Sequence, residues 1–567
     1  MSTRLILQMH PSAPSIAAGS LTTKGQADDI LHHAIRLALL AAIVLMAAMA
    51  WTRNINWDEF YFLSHVHAQL DGRLDRPLQT VFVHAFGWLS AVSGTEADQI
   101  AIARLVMLVF FSGTCLALHR IAATLTNAPC ADIALLAFVT SGFAIAHGGS
   151  FRADPMAAGL LMGAVAIMMI SRMGPFQMIA VALLSAFALL VTVKSALYLP
   201  VYIAALIWRW NDRSLVMRCL ASGILALAIA AAIYVWHASG ITPAEQAGTG
   251  DNLVEAASVT LGGSGFLPRW PEVSLWLMFS VGAVLLALAG LYCAPSTRLR
   301  ILLVLFAAPL LSVVVYRNAF PYFFPFAVPA LMVAVAFGAQ ALRGTLIFKL
   351  ALVLMLASGV IQSQRALSEG NAAQHATLSE IHRLFPQPVP YIDQNGMLAS
   401  YERLGFFMST WGIATYRAAG QPVFADLIAQ GQPPLLLANR AELYTAMRPD
   451  QANGTFLGLL EEDARVLRET YVHYAGVIWL AGLDVTLTDT STTTSLKIAG
   501  DYRVETDGPL IVNGEHVENG DVVPFGTTPV EIQGTPGTEV RLIWNTPVTT
   551  PQKHLPETDL YAGFWRL

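Results

Sequence analysis

The sequence predicts a polytopic α-helical membrane protein that ends in a region of mixed α/β and β structure. Three observations predict it. Of 567 residues, 55% are hydrophobic and only 13% are charged. With a mean hydropathy of +0.55, the chain is far more apolar than a soluble domain. Apolar segments of spanning or near-spanning length recur up to about residue 365 and then stop. Beyond Gln364 come Pro-rich joints and short alternating runs, the pattern of small sheets.

Residues 1–30 are polar, include Asp28 and Asp29, and read as a disordered cytoplasmic tail. Ala48-Met49-Ala50 has the small residues of a signal-peptidase site, but the long, partly acidic leader argues against cleavage. Residues 31–365 form the membrane domain. Its apolar segments lie at about 34–51, 100–118, 131–147, 156–170, 176–193, 195–208, 215–236, 273–292, 300–316, 320–340 and 346–363, which makes about eleven transmembrane helices.

Lys and Arg in the loops set the orientation. With the N-terminus inside, Arg4, Lys24, Arg36, Arg120, Arg172, Arg209, Arg213, Arg218, Arg298, Arg300, Arg343 and Lys349 share one side. Arg53, Arg73, Arg76, Arg152, Lys194, Arg269 and Arg317 share the other. Twelve against seven favours a cytoplasmic N-terminus. An odd number of spans then puts the C-terminal region outside, in the periplasm of a bacterial inner-membrane protein.

Residues 366–490 read as an extracytoplasmic α/β domain, with strand-like runs Val389–Asp393, Pro434–Ala438 and Gly476–Ala481 and a helix-like stretch Arg440–Met447. Residues 491–567 change to a period of two, in Tyr502–Glu505, Leu510–Asn513, Val530–Ile532 and Glu539–Trp544, which reads as a β-sandwich. Asn513-Gly514 marks a hairpin within it. A net charge of −5 gives no reason to expect nucleic acid, whose binders need a basic face. The four cysteines, Cys115, Cys130, Cys219 and Cys293, form neither a disulfide framework nor a zinc pattern.

The unusual residues collect on the outer side. They are Asp58 and Glu59 after the first span, Arg152-Ala153-Asp154, Lys194, the Gly-rich stretch with Arg269, and Tyr316-Arg317-Asn318. Asp58 and Glu59 have two readings. In one, Asn56 caps a helix from Trp57 to about Leu70 and Glu59 completes a capping box. In the other, carboxylates at a membrane edge mark chemistry.

The order of these motifs carries a resemblance. Trp57-Asp58-Glu59-Phe60-Tyr61, Arg76-Pro77-Leu78, Ala103-Arg104-Leu105, Arg152-Ala153-Asp154 and Tyr316-Arg317-Asn318-Ala319-Phe320-Pro321-Tyr322 follow the pattern of the GT-C superfamily of membrane glycosyltransferases. The chain most resembles the lipid A aminoarabinose transferase and protein O-mannosyltransferase branch, over residues 34 to 365. It departs at Arg76 with one proline, where the aminoarabinose branch has Lys and two.

The resemblance implies an inverting glycosyltransferase that moves a sugar from a polyprenyl-phosphate donor to an extracytoplasmic acceptor, a glycolipid, lipopolysaccharide or envelope polysaccharide. It implies Asp58 as general base, with Glu59 beside it. A glycosyl phosphate has a stable leaving group, so late proton removal and charge stabilisation on the phosphate suffice. An unperturbed Asp, near pKa 3.9, is a weak base, and partial burial would strengthen it.

Arg76, Lys194 and Arg317 are the candidates for holding phosphate, each also readable as an interfacial cation snorkelling to headgroups. Arg152, Asp154, Tyr61, Tyr316 and Tyr322 are candidates for positioning donor or acceptor. Arg152 and Asp154 are equally readable as a mutual pair, Arg104 reads as structural, and Gly248–Gly265 reads as a lid or a plain connection.

The residues make no cofactor certain, and a divalent metal stays open, since some family members use one and others with monophosphate donors do not. His65 and His67, two apart on a helix, do not share a face for one, and His147 is a further candidate at a loop edge. A transporter or flippase would instead carry mid-membrane charges and paired broken helices. A polysaccharide-binding scaffold would show no transfer at all.

Overall fold

The computed structural model describes residues 18–77, 80–241, 265–451, 458–552, 555–557 and 559–563. The first helix, Ala18–Thr52, reaches back into the expected tail. No proline interrupts it after Pro14.

All eleven apolar segments are helical in whole or in pieces, but length separates them. Seven helices are long and apolar enough to cross a membrane: Asp29–Thr52, Glu96–Leu125, Ala153–Ile170, Arg213–Ser239, Trp270–Tyr292, Thr297–Val314 and Leu346–Ser368. The pair Pro321–Ala327 and Met332–Leu342, bent by 67°, makes an eighth. Length and composition thus give seven or eight crossings among the described residues, against the eleven expected.

The segments below that length are shortened by local breaks. The 131–147 segment breaks after Thr140, where Phe143 takes a left-handed φ of 72° before a single further turn, Ala144–His147. The 195–208 segment opens with a 3-10 stretch, Val193–Tyr198, and its α-helix is Leu199–Arg209. The 176–193 segment forms the 17-residue helix Pro175–Val191. In 320–340, Pro321, Pro325 and Pro329 each remove a backbone donor, and the helix bends.

Helices Trp270–Tyr292 and Met332–Leu342 meet backbone to backbone. A Cβ on Gly290 would sit 1.9 Å from the Ala334 carbonyl oxygen, and one on Gly338 1.8 Å from that of Leu286. Only glycine fits there.

The side chains of the two loop sets also sort themselves. Arg209 donates to the Met168 and Ser171 carbonyls, Arg218 to Arg172, and Arg298 to Ile207 and Trp208. On the other set, Arg53 donates to Ser150, Arg152 pairs with Asp58, Lys194 pairs with Asp154, and Arg269 donates to the Arg317 carbonyl. These contacts join loops only within a set, so each set marks one end of the bundle.

The C-terminal region docks on the Asp58 end. A backbone bridge links Arg53 to Gly370, His382 Nε2 and the Ser400 hydroxyl both reach Glu96, and the Tyr561 ring packs edge-on against Trp57 and Phe60. The expected strands form, at Tyr391–Ile392, Leu435–Leu437, Gly500–Thr506, Leu510–Val512, Val530–Gln533 and Glu539–Trp544. Arg403–Leu404 and Leu435–Leu437 flank Tyr391–Ile392 in parallel.

The nine-residue strand Ile478–Thr486 continues this sheet into the last part of the chain, pairing with Leu435–Leu437 at one end and Glu539–Trp544 at the other. A second, four-stranded sheet contains the hairpin at Asn513-Gly514, whose φ of 51° and 88° suit a type I′ turn. It also uses Ser491–Thr494, within a Thr/Ser run that carries no hydrophobic signal.

Candidate active site

The loop after the first span turns into the helix Trp57–Leu70 at Asn56. The Asn56 side chain accepts from Asp58 N–H at 3.0 Å, and its backbone N–H donates to Glu59 Oε2 at 3.0 Å, the expected capping box. The cap sends the two adjacent acids in different directions.

Glu59 points inward and is fully buried. Its Oε1 accepts from Arg104 Nε at 2.8 Å and Phe151 N–H at 2.8 Å; its Oε2 accepts from Arg104 Nη2 at 2.6 Å and Asn56 N–H. Four donors fill the lone pairs that a carboxylate offers. Burial opposes its charge, but Arg104, Arg53 and the Phe151 N–H outweigh it and hold the pKa down to about 2. Arg104 also donates to the Arg53 and Asn54 carbonyls at 2.9 Å. Glu59 and Arg104 therefore tie the first outer loop to the second span and to Phe151, and leave no free acceptor on Glu59 for a substrate.

Asp58 points the other way and meets the second outer loop. Its Oδ2 pairs with Arg152 Nη1. Arg152 Nε lies 3.6 Å from Asp154 Oδ2, and Asp154 Oδ1 pairs with Lys194 Nζ from the third outer loop. The Arg152 guanidinium lies over the Tyr322 ring, 3.4 Å from its centroid, with Lys194 Nζ at 5.7 Å. Tyr316, buried beside this group, packs on Phe323 at 4.8 Å.

The outer loops thus bring Asp58, Arg152, Asp154, Lys194, Tyr316 and Tyr322 together. Asp154 is 1% exposed, while the Asp58 and Lys194 side chains keep 15% each, so the ring opens on their side.

The C-terminal region lays aromatics next to this opening. Phe407 stacks on Tyr61, ring centroids 4.0 Å apart and planes 7° apart. The indole of Trp411 lies 4.4 Å from the Arg317 guanidinium and 5.6 Å from that of Arg269, and its N–H donates to Asn318 Oδ1 at 3.0 Å. Among the described residues Arg317 Nε is buried without a hydrogen-bond partner. Phe407 and Trp411 did not stand out in the sequence as site residues, because more than three hundred residues separate Phe407 from Tyr61. The short aromatic run Phe406-Phe407 was the signal that could have found them.

Arg76 is not brought to the ring. Its side chain is 50% exposed and faces Asp75 at 3.8 Å. The stretch Gly248–Gly265 lies outside the described residues but for its last position. Asp58 and Asp154 are each paired with a cation of the ring. Among the described residues no three His, Cys, Asp or Glu side chains converge as metal ligands would.

No protein-family model matches the sequence, and no curated protein matches it. Solved structures do. One is ArnT from Cupriavidus metallidurans bound to undecaprenyl phosphate, with a TM-score of 0.51 and 15% identity over 73% of this chain and 95% of that one. Another is the Archaeoglobus fulgidus oligosaccharyltransferase in the apo form, with a TM-score of 0.49 and 10% identity over 86% of this chain and 74% of that one. The likeness to ArnT shows a shared fold.

Proposed function

We propose that the protein is an inverting membrane glycosyltransferase that uses a polyprenyl-phosphate sugar as donor and a glycolipid or envelope polysaccharide outside the cytoplasmic membrane as acceptor. The observation that carries this reading is the ring itself: one partly open carboxylate, Asp58, in direct contact with a cation and beside a second, at the end of a bundle of membrane helices. The GT-C fold, shared with a protein bound to undecaprenyl phosphate, supports it.

In this reading the acceptor hydroxyl attacks the anomeric carbon as the bond to the phosphate oxygen breaks. The hydroxyl proton passes to Asp58, and the configuration inverts. The departing polyprenyl phosphate carries the charge, which Lys194, Arg152 and Arg317 stabilise. Arg152 contributes a planar fork and Lys194 a point charge. Glu59 acts as a positioning residue, and Tyr61 with Phe407 forms a flat apolar surface beside the ring. The Asp58 end and the C-terminal region face the periplasm, in keeping with the excess of Lys and Arg at the other end.

Replacing Asp58 by Asn and measuring transfer from a radiolabelled polyprenyl-phosphate sugar tests the reading. Loss of a general base costs about 10²- to 10⁴-fold in rate. Undiminished transfer rules the mechanism out.

A further inference from the structure

A second opening lies at the same end of the bundle. It is a cleft open to solvent, with a cavity volume of about 90 Å3, whose lining includes Arg53, Asn56, His147, Leu275, Phe279 and Arg365, none of which belongs to the Asp58 ring. Arg53 directly follows the span Asp29–Thr52, Arg365 is in the last turn of Leu346–Ser368, and Leu275 and Phe279 are in the opening turns of Trp270–Tyr292. The cleft therefore sits where membrane helices end, with an apolar wall beside a cationic rim. That is the shape of a site for an amphipath.

The rim is short of negative charge. Among the described residues neither guanidinium is in an ion pair: Arg53 donates to the Ser150 hydroxyl at 3.0 Å, and Arg365 lies over the Phe279 ring, 5.1 Å from its centroid. Glu369 also lines the cleft and offsets one of the two charges, which leaves the opening positive. Burial and the nearby Arg104 charge pull the Arg53 pKa down to about 10, against the raising effect of the Glu59 and Glu369 charges.

We propose that this cleft binds the phosphate-bearing headgroup of a second lipid, with Arg53 and Arg365 on the phosphate and Leu275 and Phe279 against the adjoining chain. Its occupant reaches the catalytic loop. Asn56 lines the cleft, and its side chain accepts from Asp58 N–H. Two sources share this chemistry, a phosphorylated glycolipid acceptor and a bilayer phospholipid.

Calorimetric binding to the purified full-length protein tests the site and separates the sources. The probes are dihexanoyl phosphatidic acid, a monophosphorylated glycolipid of matched chain length, and inorganic phosphate. Arg365→Ala, and Leu275→Trp to fill the cleft, each weaken dihexanoyl phosphatidic acid at least tenfold, while Lys194→Ala in the ring changes it less than twofold; thermal unfolding confirms that each variant is folded. Glycolipid binding tenfold tighter than phosphatidic acid identifies an acceptor site, and equal binding identifies a phospholipid site.

Inorganic phosphate binding as tightly as either lipid overturns the proposal. So does an unchanged affinity in both cleft variants, or an equal loss in Lys194→Ala. Asp58→Asn abolishes transfer and leaves this binding intact, so the two readings fail separately.

Discussion

Glu59 and Asp58 are adjacent in the chain, and replacing each by its amide should have opposite consequences. Glu59→Gln keeps one oxygen and puts an NH2 where the second stood. The four hydrogen bonds that the carboxylate accepts, two from Arg104 and one each from Phe151 and Asn56, then fall to two, and the new NH2 faces donors. Arg104, 2% exposed, loses its counter-charge. Breaking a buried pair by removing one partner costs about 3–5 kcal/mol.

Spread over a membrane domain larger than the domains for which 1 kcal/mol moves the melting point by about 2–4 °C, that cost lowers it by roughly 5 °C. Asp58→Asn loses an ion pair that is 15% exposed on the acid's side, and its melting point should change by less than half as much. Fluorescence-detected thermal unfolding in detergent, run beside the transfer assay, reads both. The expected pattern is Glu59→Gln unstable with transfer recoverable at low temperature, and Asp58→Asn stable with transfer lost at every temperature. A Glu59→Gln protein that melts like wild type yet transfers nothing would refute the division of roles.

Lys194→Ala should lower transfer by about 10²- to 10³-fold through lost stabilisation of the leaving phosphate, with Lys194→Arg partly active because the charge survives; equal activity in all three proteins would exclude Lys194 from the site. The His382 link to Glu96 should make docking of the C-terminal region pH-dependent. The hydrogen bond and charge of Glu96 raise the His382 pKa against burial, so this contribution is fully present below the ordinary value near 6.5 and is lost as pH rises through the raised value. Limited proteolysis should show the region loosening across that window in wild type but not in His382→Asn. Gly338→Ala should melt lower than wild type, although alanine is the better helix former by about 1 kcal/mol, because the new Cβ meets the Leu286 carbonyl; a higher melting point would contradict the backbone contact.

What the sequence made legible follows the range of the interactions. The Asn56 cap, the Glu59 capping box and the Asn513-Gly514 turn each depend on residues within four positions of one another, so spacing alone reveals them. The meeting of Asp58, Arg152, Asp154 and Lys194 was legible at one remove, from the parity of the spans that carry their loops. Glu59 with Arg104, 45 residues apart, was not, because nothing local distinguishes a carboxylate that caps a helix from one that also binds an arginine two loops away.

The same limit hid the aromatic cover. Phe407 and Trp411 lie in a region whose strands announce only that they are strands, and docking alone shows that they pair with Tyr61, Arg269 and Arg317. Helix length is hidden for a different reason. Hydropathy registers the apolar run, but the prolines at 321, 325 and 329 and the left-handed Phe143 decide whether that run is one straight helix. The bend lies beside the site: it follows the segment Pro321–Ala327, whose Tyr322 ring sits against the Arg152 guanidinium. A departure from regular helix, invisible to hydropathy, thus adjoins the charged ring at the edge of the membrane.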